Sequence, residues 1–300
     1  MKHTPKSLDP KTLARIKGLR LRARHIVEGY VAGLHRSPFR GFSIEFAEHR
    51  EYVPGDDLRY VDWKVYGRTD KFYLKQYEDE TNLICYLVLD ASESMRYRGP
   101  ESAWSKFEYA RTMAAALAWL VLQQQDSVGL ITFDTGIRSS VRPSSNPSHL
   151  QQILDVLEAT VPENRTAAAP IFHELAERMN KRGVVVILSD LFDDVNAWMT
   201  GLRHFRHRRH DVILLQVLDR AELDFPFARP TRFRGLEQWP EVVTDPRSLR
   251  RAYLGEFRKF LRAVRLGCRQ HGVDYHEMLT DIPLDKALSS YLSARVQKIS

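Results

Sequence analysis

A chain of 300 residues that is 43% apolar can bury one large core or two small ones, which excludes a disordered chain. A formal charge of +7 points towards an acidic partner or an anionic surface, but basicity this modest decides nothing more. Two cysteines, Cys85 in an apolar strand and Cys268 in a helix, exclude a disulfide scaffold and read as reduced, buried thiols.

Residues 1–24 are basic and lack the apolar stretch of a secretion signal. Residues 9–34 then read as helix, rich in strong helix formers, until Pro38 and Gly41 in RSPFRGFS break the pattern. Residues 42–81, dense in aromatics and charges, read as irregular structure with short strands such as KFYLKQY. LICYLVLD (83–90) is a continuous apolar strand of the kind buried on both faces. A helix follows at 102–124. Its run MAAALAWLVL (113–122) is the longest apolar stretch, about half the roughly 20 residues that cross a bilayer. The expectation is a soluble, cytoplasmic chain.

SVGLITF (127–133), the turn DTG and IRSSV (137–141) form a pair short enough for an antiparallel hairpin at a sheet edge. Helices are expected at 147–159 and 169–180, with Pro170 in a first turn and Gly183 just past the end. The strand VVVILSD (184–190), a helix at 195–207 and the strand VILLQVLD (212–219) come next. Residues 220–245 hold three prolines and read as an insertion with small strands. A long helix at 246–271, a strand at 273–279 and a helix at 284–297 end the chain. Strands alternating with helices predict an α/β fold: a doubly wound, mostly parallel, Rossmann-like sheet with one antiparallel edge strand and an N-terminal extension.

In such sheets ligands bind at the carboxyl ends of the strands. Asp90 and Asp190 each close an apolar strand, so both carboxylates emerge on one edge. If the strands are neighbours the carboxylates repel, and a cation between them removes that repulsion. Ser92 and Ser94, in VLDASESM, add neutral oxygens. Hard oxygen donors suit Mg²⁺, with Mn²⁺ or Ca²⁺ as alternatives, rather than zinc. An aspartate or serine after a strand also caps helices, and that reading stands beside the metal reading.

The D-x-S-x-S stretch Asp90–Ser94 resembles the first motif of the metal-ion-dependent adhesion site of von Willebrand factor A-type domains. The resemblance implies Ser92, Ser94 and Thr166 as hydroxyl ligands, with Asp90 and Asp190 acting directly or through water. A partner's carboxylate would take the remaining position. Glu93, Asp193 and Asp194 are candidate supporting or spare ligands. Leu191 departs from the pattern, which has glycine there.

EFAEHREYVPGDDLRYVDWKVYGRTDKFYLKQYEDE (45–80) resembles the signature of family fifty-eight among domains of unknown function. Leu223–Pro230, the helix around Tyr253 and Gly272–Pro283 fit it too. The likeness covers roughly residues 35–298. It implies an N-terminal piece, 1–81, packed on a von Willebrand A-like domain, 82–300. Many relatives begin with membrane-spanning helices, and this chain resembles the shorter, soluble type. The family also implies a chaperone-like or complex-assembly role with a MoxR-type AAA ATPase or its client, and a non-catalytic, metal-dependent binding module. Arg50, Tyr52, Asp56, Asp57, Arg59, Asp62, Trp63, Lys64 and Arg68 read either as an ion-paired, aromatic-packed lid or as a surface for that partner.

The main rival is a metal-dependent phosphoesterase or other hydrolase. Phosphatases with a strand-end aspartate nucleophile need a second aspartate where Ser92 stands. Ser92 also lacks the flanking glycines of a hydrolase elbow, and no nucleotide-binding glycine motif occurs. RHFRHRRH (203–210) offers phosphate contacts to a nucleic acid, but as a helix end it also offsets the helix dipole. His204 and His207 have no accompanying zinc ligands.

Overall fold

The computed structural model describes residues 10–15, 18–33, 49–51, 67, 73–75, 83–179, 181–229, 231–233, 235–236 and 242–299. The chain divides into two compact units, residues 39–83 and all the rest. In the smaller, β1 (His49–Glu51) pairs antiparallel with β2 (Tyr73–Lys75), Arg50 opposite Leu74.

The larger unit begins with α1 (Pro10–Arg15) and α2 (Leu19–Gly33), one expected helix broken at Gly18, whose φ of 89° is left-handed. Leu19, Ala23, Ile26 and Val27 give α2 a buried face. It packs on α3 (Lys106–Gln123) and α4 (His149–Ala159), with the Arg22 guanidinium over the Trp104 ring and the Leu19 N–H donating to Glu158.

The sheet holds six strands. They are β3 (Ile84–Asp90), β4 (Ser127–Phe133), β5 (Ile137–Ser144), β6 (Val184–Ser189), β7 (Asp211–Leu218) and β10 (Asp274–Leu279). Their order is β10-β7-β6-β3-β4-β5, parallel except for β5 at its edge. The inner strands β3 and β6 are apolar up to their last residues, Asp90 and Ser189, and buried except at Ile84, as strands covered on both faces must be. The edge strand β5 alternates and carries Pro143, which only an edge tolerates.

From β3 the chain runs to β4 on one side, then returns to β6 on the other. The switch between β3 and β6 opens a crevice at their carboxyl ends. Leu89 pairs with Leu188, so Asp90 and Ser189 end the two strands side by side.

Helix α3 starts with a capping box, Ser105 with Glu108, and is buried almost all round. On the other side lie α5 (Ala168–Arg178), α6 (Val195–His207) and α8 (Pro246–Gln270), with Phe133, Phe172, Trp198 and Phe205 packed at the centre, mostly edge to face. The insertion holds α7 (Arg220–Asp224) and the antiparallel pair β8 (Thr231–Phe233) and β9 (Val242–Thr244). Helix α9 (Leu284–Ile299) closes the chain. Cys85 and Cys268 are buried and unbridged.

Candidate functional site

Asp90 is fully buried at the end of β3. Its Oδ1 accepts the Ser92 N–H at 2.9 Å, and its Oδ2 accepts the Ser189 hydroxyl at 2.5 Å. Among the described residues no Lys, Arg or His pairs with it. Burial first, and the Asp190 charge second, push its carboxyl up to about 7, against the pull of those hydrogen bonds. Ser92 and Ser94 are buried with their hydroxyl oxygens 3.0 Å apart, at the start of a 3-10 turn, Glu93–Arg96. Neighbouring ligands of an octahedral ion, each about 2.1 Å from it, lie roughly that far apart. The same spacing also makes a direct hydrogen bond.

The loop carrying Thr166 is stitched to this turn. The Glu163 N–H donates to the Ala91 carbonyl at 2.9 Å and the Glu93 N–H to the Asn164 carbonyl at 2.8 Å. The Ala167 N–H reaches the Asp134 carbonyl at 3.0 Å, and the Asn164 amide reaches the Asp134 carboxylate at 2.8 Å. Thr166 itself is buried and Glu93 half-buried. The third loop is tied in through Ser189, which donates to Asp90 and accepts the Leu191 N–H at 2.9 Å. Three loops thus meet at one edge of the sheet.

Asp190 is buried, but its carboxylate turns to Lys106 at 2.7 Å. The Lys106 ammonium also holds Glu222 at 2.7 Å and lies 4.7 Å over the Phe192 ring. Burial works to lower the lysine's pKa, but the Asp190 and Glu222 carboxylates outweigh it and raise it, keeping the ammonium charged. Burial raises the Glu222 pKa, and Lys106 opposes that rise.

Asp193 and Asp194 are exposed, and Asp194 caps α6, accepting the Asn196 and Ala197 N–H groups. Asp193 accepts the Asp194 N–H. Leu191 explains the departure from the glycine pattern: it adopts the left-handed φ of 62° that favours glycine, while its side chain is buried in the core. The loop keeps its shape with leucine, at a backbone cost of about 1–2 kcal/mol.

Sequence reasoning missed Ser189, Lys106 and Glu222. A hydroxyl closing an otherwise apolar strand was a readable signal for Ser189. Lys106 carried one too, as a cation in the first turn of a helix, where the dipole disfavours it. Glu222 reads as half of the Asp219–Glu222 capping box of α7, and nothing local reveals its second partner.

Arg50 lies in β1, and the other candidate partner-surface residues, Tyr52, Asp56, Asp57, Arg59, Asp62, Trp63, Lys64 and Arg68, lie outside the described residues. The basic run 203–210 ends α6. His204, Arg206 and His207 occupy its last turn, and Arg206 donates to the His210 carbonyl and to Asp211. Among the described residues no three His, Cys, Asp or Glu side chains gather as metal ligands. A cation at the strand ends would therefore rest largely on hydroxyls and water.

Uncharacterized proteins of Mycobacterium bovis and Mycobacterium tuberculosis are 29% identical over 222 residues, spanning 73% of this chain and 68% of theirs. Among solved structures, the von Willebrand factor domain of a type V pilus tip protein from Porphyromonas gingivalis covers 72% of this chain and 94% of its own, at 11% identity and a TM-score of 0.36. An aerotolerance-related membrane protein from Bacteroides fragilis covers 71% of this chain and 99% of its own, at 17% identity and a TM-score of 0.45.

The last of these corrects the cytoplasmic expectation. Among the described residues no helix is long and apolar enough to cross a membrane. That absence does not assign the chain to the cytosol. The profile of the family described as "protein of unknown function DUF58" matches residues 48–260, most of the sheet unit's length, and the chain belongs to that family.

Proposed function

We propose that the strand-end site holds a divalent cation, Mg²⁺ foremost, and serves as a non-catalytic docking point for an acidic side chain of a partner protein. The observation that carries this reading is Asp90, a fully buried carboxylate with no cationic partner among the described residues, beside two buried hydroxyls 3.0 Å apart. Asp90, Ser92, Ser94 and Thr166 would face the ion, and Asp190 would act from behind, held by Lys106. Neutral hydroxyls leave part of the ion's charge uncancelled, so it attracts a further carboxylate. The family resemblance supplies the partner class, a MoxR-type AAA ATPase or its client.

The test is retention of a purified MoxR-type ATPase on immobilised protein, with Mg²⁺ and with chelator. Retention that needs Mg²⁺ and fails in Asp90→Ala supports the reading. Retention that survives both chelation and that substitution rejects it.

A further inference from the structure

Helix α8 is a strongly basic element of this chain. Helix α8 carries seven arginines and one lysine against Glu256 alone, an excess of seven that equals the formal charge of the whole chain. At about 100° per residue, Arg247, Arg251, Arg258, Arg262, Arg265 and Arg269 fall within an arc of about 60°. All six are exposed. They make a row roughly 33 Å long at 1.5 Å per residue. The opposite face, Leu254, Phe257, Leu261, Val264 and Cys268, is buried in the cores.

This row works against the helix that bears it. The N-cap Asp245 accepts the Arg247 N–H at 3.0 Å, but no acidic residue occupies the first turn itself, where the Arg247 side chain adds positive charge at the positive end of the dipole. Like charges repel at the four-residue spacings 247/251, 258/262 and 265/269. Among the described residues only Arg265 of the six has a carboxylate partner: its Nε and Nη2 close on Glu277 Oε1 at 2.8 and 2.6 Å. A row of like charges that opposes local stability and finds one carboxylate partner among the described residues is the kind of local conflict expected at a functional surface.

We propose that the α8 arginine row docks an acidic helical segment of a partner protein, its carboxylates repeating at the same four-residue spacing. The Arg265–Glu277 contact is the internal example of that recognition, and guanidinium forks match carboxylates in a way lysines do not. The row presents no aromatic ring on which bases would stack. The apolar face that would enter a lipid surface is spent in the protein core. The proposal goes beyond the docking role of the strand ends and needs no metal ion.

The test uses the full chain in chelator, so that it is separable from the metal reading. Binding of a fluorescent helical peptide with glutamate at every fourth position is followed by anisotropy, beside a DNA duplex and vesicles containing an anionic phospholipid. Saturable peptide binding should weaken about tenfold in R251E/R258E/R262E and about threefold in R258Q/R262Q. Reversal of Arg203, Arg208 and Arg209 at the end of α6 should change it less than about threefold. Equal weakening by the α6 reversal, or none in the α8 variants, overturns the row as the docking surface. Tighter binding of the duplex or the vesicles than of the peptide overturns the partner class.

Discussion

Lys106 and Asp190 form an ion pair of 2.7 Å in which the side chains are 1% and 0% exposed. The same ammonium holds Glu222 at 2.7 Å. The start of α3 thus brings a fixed cation to the carboxyl edge of the sheet, and it serves Asp190 and Glu222 but not Asp90. That division of charge separates Asp190, which is paired with a lysine, from Asp90, the carboxylate that the proposed cation would meet.

Lys106→Met should lower the unfolding free energy by about 3–5 kcal/mol, because it leaves two buried carboxylates uncompensated. The triple variant Lys106→Met, Asp190→Asn, Glu222→Gln removes all three charges together and should lose much less. Urea unfolding of both variants checks the difference.

The Asp90 carboxyl sits at about 7 when folded, against an ordinary value of 3.8. Between about pH 4 and pH 7 the unfolded chain has released a proton that the folded chain keeps. Metal-free protein therefore loses stability across that window as pH rises, and the loss is complete above it. In chelator, Asp90→Asn should gain stability relative to the parent from pH 4 to pH 7 and hold a constant difference above. Thermal unfolding at stepped pH measures this directly.

Leu191→Gly sets two effects against each other. Glycine relieves the left-handed backbone, worth about 1–2 kcal/mol, but deletes a buried side chain, worth about 2–5 kcal/mol. Burial wins, and the variant should be about 2–3 kcal/mol less stable by urea unfolding, although the family pattern has glycine there.

A docking site has no reacting atoms to position. With Mg²⁺ present, hydrolysis of a generic phosphoester should not exceed the buffer rate, and Asp90→Asn should leave the rate where it is. Turnover that disappears in that variant would restore the hydrolase reading.

Much of the sheet was legible because β3 and β6 are apolar on both faces, a pattern that only covered parallel strands produce. Asp90 and Asp190 could be placed on one edge for the same reason. The break at Gly18 was hidden, since a single glycine in a run of helix formers is weak punctuation until its φ is known. Lys106 was hidden because its partners lie 84 and 116 residues away, and no local period connects them. The choice of Ser189, rather than Asp190, as the neighbour of Asp90 depends on strand register, which a run of buried apolar residues does not encode.

The most direct measurement is the thermal midpoint of the parent, Asp90→Asn and the Ser92→Ala/Ser94→Ala pair, each in chelator and in saturating Mg²⁺. Ligand at about a hundredfold excess over Kd adds about 2.7 kcal/mol, or about 4 °C for a chain of this length. The account predicts that rise in the parent and none in the two variants. An equal rise in all three, or none in the parent with Mg²⁺, Mn²⁺ or Ca²⁺, would contradict it.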